Sequence, residues 1–420
     1  MALRIFDDTG QPVFQDYVPG TPLPQGYSVQ PFFPGYTFAC GKSMYRGEEV
    51  GEGGYVYGNP GVWWWCALLD VASMHPHSIL AEELFGMYTE VFKTLVETRV
   101  LIKHEEWEAV KSALGGKLAP YVEKIIAGEF TSDDLANALK TAINSVYGLT
   151  SAKFDNPFRD PRNVDNIVAK RGALFMINLK YKVREWGFEV AHIKTDSIKI
   201  PFATPEIIQK VMDYGKEFGY SFEHEATYER MCLVNDAVYI ARYASAEFCQ
   251  EAYGYVPKEN RKHPLAWTAT GTQFQVPYVF KTRFSKEPVG FSDLCETKSV
   301  TSSIFLDLNE DLPKDAHAYH FVGRVGCFCP MQPGCGGGEL VREARHPTTG
   351  ERTYAAVTGT KGYRWKEAEM VRNLHQEALI DVSYYETLAI KAQDAISQYY
   401  PFQAFVDGAP VSYQDRAPWM

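Results

Sequence analysis

Two aspartates stand in patterns that suit metal-dependent chemistry on phosphates. Asp70 lies near the end of the mostly apolar run 63–71, and Asp196 lies in the segment 194–197 between two β-like runs. Mg²⁺ prefers hard oxygen ligands and is usually held by one or two carboxylates plus substrate phosphates. The pair therefore indicates a two-metal site, and the chain between the aspartates must then supply cations for a polyphosphate.

Cations do recur at helical spacing between the two aspartates. In a helix predicted from 131 to about 147, Lys140, Asn144 and Tyr147 share one face, and apolar residues occupy the other. Arg99 and Lys103 are four residues apart on an earlier predicted helix, so they also share a face. A solvated face of an amphipathic helix explains each pattern by itself. Convergence of the cations on nucleotide phosphates is the alternative.

The elements that must position these residues are a mixture of strands and helices. We expect a buried strand at 63–71 and a hairpin over 188–202 whose tip carries Asp196. We expect 258–264 to be a linker. The helices are predicted from apolar periodicity and end signals: 81–106, 131–147 with a stop at Gly148, 164–186, and 383–399 with Ser383 as a possible N-cap; a turn at 115–116 separates the first two.

Composition bounds the class of protein. The chain has 420 residues, 45% of them hydrophobic and 22% charged, which allows two or three domains or lobes. A net charge of −10 argues against non-specific adhesion to nucleic acid, yet a groove needs only a local basic lining. The first residues lack a signal-peptide layout, and the apolar run 62–69 is too short for a bilayer. Eight scattered cysteines indicate reduced thiols, so we predict a cytoplasmic protein with no membrane partner.

Three segments carry a resemblance to a known family. The segment 70–76, Asp-x-x-Ser-Met-His-Pro, resembles the first polymerase motif of family B DNA polymerases. The segment 140–148, Lys-x-x-x-Asn-Ser-x-Tyr-Gly, resembles their second motif, and Thr-Asp-Ser at 195–197 resembles the third. Order and spacing agree from about 47 to 242. The resemblance is closest to the phage-encoded branch, for which the location would be the host cytoplasm.

The resemblance implies an α+β fold of the right-hand polymerase type, with an antiparallel-sheet palm, helical fingers and a C-terminal thumb. The implied boundaries are an N-terminal segment at 1–69, palm at 70–84 and 146–264, fingers at 85–145, and thumb with C-terminal region at 265–420. The implied reaction is primer extension on a DNA template from dNTPs by two-metal nucleotidyl transfer.

The resemblance also assigns roles to residues. Two Mg²⁺ ions, or Mn²⁺ in their place, would bind Asp70, Asp196 and the carbonyl of Val71. Lys140 would give a proton to the leaving group. Nucleotide contacts would come from Ser73, His75, Arg99, Lys103, Lys140, Asn144 and Tyr147. Primer–template contacts are expected at Thr195, Tyr239 and Arg242, and at Lys361 and Arg364 because cations alternate with aromatics there; an ordinary exposed loop is the alternative for 360–366.

Three positions depart from the family pattern. His75 replaces the tyrosine that excludes a 2′-hydroxyl, which suggests weaker discrimination against ribonucleotides. Lys194 replaces a further aspartate at the start of the third motif. Tyr239 retains the aromatic of the primer-gripping Lys-x-Tyr while the lysine is absent, and Arg242 or Lys258 could substitute for it.

Other functions stay open at this point. The short stretch before Asp70, with Asp7, Asp8 and Asp16, predicts no intrinsic 3′–5′ exonuclease, so a separate exonuclease subunit is a possible partner. The rivals to an active polymerase are an inactive primer–template binding subunit and a ribonucleotide-tolerant, primase-like polymerase. Cys327, Cys329 and Cys335 with His346 have irregular spacing for structural zinc, and reduced thiols in a Gly-rich loop are the favoured interpretation.

Overall fold

The structure is a computed structural model. It describes residues 2–6 and 12–16 (backbone only), 33–39, 42–51, 54–85, 88–150, 152, 154, 156, 167–309, 312–313 and 316–415. Asp7, Asp8 and residues 164–166 of the predicted third helix lie outside these ranges. None of the helices within them is long and apolar enough to cross a bilayer.

The chain forms two compact units. The first unit comprises 1–229, 243–264 and 411–420, and the second comprises 230–242 and 265–410. Both units mix antiparallel sheets with helices, in agreement with the expected α+β class.

The first unit contains most of the elements that precede residue 264. Its strands are β1 (Ala2–Phe6), β2 (Pro12–Asp16), β3 (Thr37–Ala39), β4 (Lys42–Tyr45), β5 (Glu48–Val50), β6 (Val56–Gly58), β7 (Gly61–Val71), β8 (His192–Lys194), β9 (Ser197–Ile200) and the first part of β10 (Phe222–Asn235). Its helices are α1 (Met74–Ala81), α2 (Thr89–Lys103), α3 (Trp107–Ser112), α4 (Ala119–Ile126), α5 (Ser132–Thr150), α6 (Ile167–Glu185), α7 (Pro205–Glu217), α8 (Ala246–Tyr253) and α9 (Lys258–Lys262), with a 3₁₀ turn at Ala113–Gly116.

A sheet with the strand order β10-β7-β9-β8-β6 is the framework of the first unit. The strand β7 is an apolar run because it lies between two neighbours in this sheet, and residues 66–69 are buried. Its antiparallel register with β9 sets Asp70 opposite Ser197. Helices α1 and α6 pack together, and α2 packs on α5 over a core that includes Ile102, Val110 and Leu139.

The second unit is built on a separate five-stranded antiparallel sheet, β16-β15-β13-β14-β17. Its strands are β11 (Val238–Tyr243, the last residue excepted), β12 (Trp267–Thr270), β13 (Glu296–Asp307), β14 (Tyr319–Met331), β15 (Glu339–Arg345), β16 (Arg352–Ala356) and β17 (Arg364–Glu367). Its helices are α10 (Thr272–Gln275), α11 (Pro277–Phe280), α12 (Ala368–Asn373), α13 (Val382–Ser397) and α14 (Phe402–Asp407), with short helical turns at Lys281–Ser285, Phe291–Leu294 and Glu377–Leu379. Trp365, Phe328 and Tyr385 are fully buried in its core.

Two predicted helices have different bounds in the structure. The helix predicted at 81–106 is shorter in the structure. Ala81 is the last residue of α1, and α2 begins only at Thr89. Glu82 follows the last residue of α1, and its carboxylate forms an ion pair with Arg171. The next residue, Glu83, adopts a left-handed φ of 50°. Gly148 does not end α5, which continues to Thr150; a glycine within a helix costs only about 1 kcal/mol relative to alanine.

Of two predictions about connections, one was wrong and the other is confirmed in its position. The segment 258–264 is no linker, because it contains α9, and the buried amide of Asn260 bonds the backbone of Thr227 and of Ala244. Gly115 and Gly116 do form a turn, with φ of 68° and 80°, but the short helices α3 and α4 flank it. The N-cap of α13 is Asp381 and not Ser383. The side chain of Asp381 accepts a hydrogen bond from the amide of Ser383.

A buried ion pair joins the end of α1 to α6 and gives a test of this packing. Arg171 Nε donates to Glu82 Oε1 at 2.9 Å, and both side chains are at most 4% exposed. We expect Arg171→Leu to lower the free energy of unfolding by about 3–5 kcal/mol, because it leaves a buried carboxylate without its partner. Urea denaturation of the full chain measures this loss.

The double variant Glu82→Leu/Arg171→Leu is the matched control, since it removes both charges and should recover most of the lost stability. Lys182→Ala breaks an exposed pair with Glu185 and should cost less than about 1 kcal/mol. An Arg171→Leu chain as stable as the native one would contradict the packing described.

Candidate active site

The strand β7 delivers Asp70 to one end of the sheet. Asp70 is half-buried, and it is followed by Val71, which ends the strand. The amide of Val71 donates to the carbonyl of Asp196 at 2.9 Å, and the amide of Ala72 donates to the carbonyl of Ser221 at 2.8 Å. These backbone bonds hold the end of β7 against the β8–β9 turn and against the segment that leads into β10.

The turn between β8 and β9 brings Asp196 to the same end. Thr195 has a left-handed φ of 56°, and its amide donates to the carbonyl of Tyr55 at 2.9 Å. The amide of Asp196 closes the turn on the carbonyl of Lys194 at 2.7 Å. The structure therefore brings together the two aspartates that the sequence proposed as a pair, on backbone that is tied at several points.

The electrostatics of the pair show an excess of negative charge. Burial, followed by repulsion from Asp196, Glu225 and Glu223, raises the pKa of Asp70 to about 8, although Lys103 opposes the shift. Burial also raises the pKa of Asp196, against the opposing effects of its own amide, His75 and Lys140. Carboxylates in such surroundings favour a bound cation, because a cation restores the ionised form.

Arg99 joins the beginning of α1 to the helical segment. Its Nη1 donates to Ser73 Oγ at 2.9 Å, and its Nε donates to the carbonyl of Ala136 in α5 at 3.3 Å. Ser73 has a left-handed φ of 59° and does not cap α1 with its side chain. Burial lowers the pKa of the Arg99 guanidinium, and Glu223 opposes that shift. Ser73 and Arg99, both predicted to contact phosphates, are therefore in direct contact.

Two acidic residues of β10 belong to this site, and sequence analysis missed them. Glu223 Oε2 lies 3.8 Å from Lys103 Nζ, and both Glu223 and Glu225 are close enough to raise the pKa of Asp70. Their alternation, Glu-His-Glu at 223–225, is the only signal in the sequence, since it sets both carboxylates on one face of a strand. The adjacency of β10 to β7 is a tertiary feature that this pattern does not specify.

The face predicted on α5 is present but unevenly exposed. Lys140 and Asn144 are exposed, and Lys140 is close enough to lower the pKa of Asp196. Tyr147 is half-buried and stacks on His75, with ring centroids 4.8 Å apart and an interplanar angle of 9°. His75 Nδ1 is buried and has no hydrogen-bond partner among the described residues. Burial lowers the pKa of His75.

The remaining predicted positions divide between the units. Lys194 is exposed at the end of β8, opposite Val56 and Ser197. Tyr239, Arg242, Lys361 and Arg364 all belong to the second unit. Arg242 Nε donates to the carbonyl of Leu265 at 3.1 Å, Arg364 Nη2 donates to the carbonyl of Gly337 at 2.8 Å, and Lys361 is exposed. Their contact with DNA stays a prediction.

A metal ion held by the two aspartates would need further oxygen ligands in addition to their carboxylates. Within the described ranges, no three or more His, Cys, Asp or Glu side chains form a group that could hold a metal ion. Two carboxylates suffice where phosphates of a substrate complete the coordination of Mg²⁺. The same finding covers the cysteines, where Cys295 Sγ and Cys329 Sγ are 3.4 Å apart without a third ligand.

Comparison with solved structures shows a weak likeness to a known protein. No protein-family model matches the chain, and no curated protein matches it. Among solved structures, the chain is similar to the family B DNA polymerase from the hyperthermophilic archaeon Pyrobaculum calidifontis, at a TM-score of 0.38 and 14% identity. The alignment covers 84% of this chain and 46% of that polymerase.

Crowding of the two aspartates predicts a stability trade-off. A carboxyl group with a raised pKa keeps its proton in the folded chain but loses it on unfolding, so stability falls as pH rises from about 4 to about 8. At pH 8 without divalent cations, we expect Asp70→Asn to raise the free energy of unfolding by about 1–2 kcal/mol. Added Mg²⁺ should then stabilise the native chain more than the variant.

Denaturation in urea at pH 6 and pH 8, with and without Mg²⁺, measures both effects. Asp394→Asn, an exposed position on α13, should change stability by less than about 0.5 kcal/mol under every condition. An Asp70→Asn chain that is less stable than the native one at pH 8 would contradict the description of the pair as crowded.

Proposed function

We propose that this chain is a template-directed, primer-extending DNA polymerase that uses dNTPs by two-metal nucleotidyl transfer. One observation carries the proposal: the pair Asp70 and Asp196 lies at one sheet end, with Arg99, Lys103 and Lys140 supplied by the helices α2 and α5. An acidic pair opposed by separate cations suits the transfer of a nucleotidyl group from a triphosphate to a hydroxyl, with pyrophosphate as the leaving group.

The acidic pair and the cations have different roles in the proposed reaction. Asp70, Asp196 and the carbonyl of Val71 would hold two Mg²⁺ ions, which when bound lower the pKa of a primer hydroxyl and neutralise the leaving pyrophosphate. Arg99 binds phosphate as a fork already oriented by Ser73 and Ala136. Lys103 and Lys140 act as point charges, Lys140 donates a proton to the leaving group, and Asn144 hydrogen-bonds the phosphates.

The proposal includes the larger organisation that the sequence suggested. The sheet of the first unit would be the palm, the helices from α2 to α5 the fingers, and the second unit a thumb that contacts primer–template DNA. The absence of 3′–5′ proofreading and a separate exonuclease chain stay predictions, and digestion of a mismatched primer tests the first of them. The phage origin and the cytoplasmic location also stay predictions.

Primer extension tests the reaction directly. We expect the pure chain to extend a primed DNA template with Mg²⁺ and dNTPs, and Asp196→Asn to slow extension at least about a thousandfold, since several kcal/mol of charge stabilisation is lost. Lys140→Ala should slow extension about 100- to 10,000-fold through loss of a general acid.

The controls separate chemistry from folding and from contamination. Lys124→Ala removes an exposed lysine of α4 and should leave the rate unchanged. Binding of primer–template by the native chain without any extension would favour the inactive binding subunit over the polymerase. Equal extension by the native and Asp196→Asn chains would contradict the proposed site.

His75 favours a second candidate, a polymerase that tolerates ribonucleotides. Its imidazole is smaller than a phenol, and its buried Nδ1 has no partner among the described residues, so it can hydrogen-bond a sugar hydroxyl. We expect His75→Tyr to lower the ratio of NTP to dNTP incorporation about 10- to 100-fold, the range of one steric or polar mismatch in a pocket.

The measurement is single-nucleotide incorporation with matched dNTP and NTP on one primed template. His75→Phe is the matched control, because it enlarges the ring without offering a hydrogen bond and so separates volume from polarity. The same NTP to dNTP ratio for native and His75→Tyr chains would remove ribonucleotide tolerance as a candidate.

A further inference from the structure

A large cavity lies wholly within the second unit and is not used by the proposed reaction. Its volume is about 930 Å³, and it is bounded by α10, α11, the start of β13, the loop after β16 and α13. Three lysines and three tyrosines distinguish its lining: Lys298, Lys361, Lys391, Tyr363, Tyr384 and Tyr385. A cavity of this size accommodates an organic ligand with a ring and a charged group.

The charge of the lining favours an anion. The charge of Asp293 is neutralised by Lys281, whose Nζ lies 2.9 Å from Oδ2. The same oxygen accepts a hydrogen bond from the amide of Gly290 at 2.7 Å. Glu296 Oε2 is neutralised by Lys298 Nζ at 2.5 Å. Lys361 and Lys391 are exposed, and within the described parts of the chain neither ammonium group meets a carboxylate. The cavity therefore offers two uncompensated cations at its surface.

Two buried polar groups in the lining of the cavity have no hydrogen-bond partner among the described residues. Tyr385 is fully buried, and its hydroxyl has no partner among the described residues. The second carboxylate oxygen of Glu296, Oε1, is also buried and unpaired there. Buried polar groups are normally hydrogen-bonded, so these two favour a ligand that brings both donors and acceptors. A flat ring that carries N–H and carbonyl groups, such as a nucleobase, would satisfy them and pack against Tyr363.

A polar channel continues from this cavity along the sheet. A second space of about 380 Å³ shares Thr297, Lys298 and Thr358 with it and extends to Arg342 on β15. Hydroxyl groups and an exposed guanidinium are common partners of phosphate oxygens. The two spaces together have more volume than one nucleotide fills, which favours a strand over a free nucleotide.

We propose that the cavity binds one unpaired base of a single-stranded nucleic acid, with the adjoining channel taking its sugar–phosphate backbone. The recognised chemistry is a nucleobase joined to phosphate, which a free nucleotide shares. Tyr363 contacts the base, Glu296 and Tyr385 hydrogen-bond its edge, and Lys361, Lys391 and Arg342 bind phosphates. The site does not depend on Asp70 or Asp196, because it lies in the other unit.

Photocrosslinking locates the bound base on the full chain. The probe is a 12-residue oligothymidylate with a single 5-bromouracil, irradiated with the protein and mapped by mass spectrometry. We expect the adduct on Tyr363 or on the neighbouring tyrosine Tyr384. Adducts found only outside residues 265–410 would overturn the proposal. Asp196→Asn should leave the crosslink unchanged, so failure of the polymerase proposal is distinguishable from failure of this one.

Affinity of the same oligonucleotide, measured by fluorescence anisotropy, tests the contacts. Lys361→Ala/Lys391→Ala should weaken binding about tenfold and reduce the dependence on salt, whereas Arg345→Ala, an exposed cation elsewhere on the sheet, should not. Tyr385→Phe should weaken binding about 3- to 10-fold without lowering the urea midpoint, because among the described residues the hydroxyl has no hydrogen-bond partner to lose.

Two results would overturn these assignments. Native affinity in both Lys361→Ala/Lys391→Ala and Tyr385→Phe would exclude the cavity as the binding site. Thymidine monophosphate that competes as well, mole for mole, as the 12-residue strand would exclude the channel and reduce the site to one for a free nucleotide.

Discussion

The burial of two carboxylates at one end of a sheet, with repulsion from Asp196 adding to its effect on Asp70, is the constraint on which this part of the first unit depends. The strand β7 carries Asp70 there because its apolar run is buried between neighbours, and the amide of Val71 holds the carbonyl of Asp196 at 2.9 Å. Glu223 and Glu225 add to the negative charge. The fold therefore needs cations nearby, and Arg99, Lys103 and Lys140 arrive from two different helices.

Two of the non-glycine residues with left-handed φ values lie at the same place. Ser73 and Thr195 both adopt left-handed φ values, 59° and 56°, within three residues of Asp70 and one residue of Asp196 respectively. Such conformations cost about 1–3 kcal/mol each when the residue is not glycine. The Nδ1 of His75, which is buried and has no hydrogen-bond partner within the part of the chain that the structure describes, adds a further cost. A chain that retains strain, crowded charge and an unsatisfied ring nitrogen in one region is organised there for binding and not for stability.

Much of the local structure could be predicted from the sequence, and the reasons for the errors are physical. The apolar run before Asp70, the turn at Asp196 and the shared face of Lys140 and Asn144 follow from periodicity alone. The break between α1 and α2 could not be predicted this way, because it depends on the tertiary partner that Glu82 finds in Arg171. Glu223 and Glu225 were missed because strand order is set by contacts far apart in the chain. Asn260 shows the same effect. Its buried side-chain amide bonds the backbone of Thr227, which lies far away in the chain, and so fixes a segment that is polar in sequence.

The central claim is that Asp70 and Asp196 together bind divalent cations in the presence of a nucleotide. The most direct measurement is the number of Mn²⁺ ions bound to the full chain with saturating dATP, counted by electron paramagnetic resonance beyond those held by dATP itself. We expect the native chain and Asp394→Asn to bind these additional Mn²⁺ ions. Asp70→Asn and Asp196→Asn should both lose them. The same Mn²⁺ binding in all four chains would contradict it.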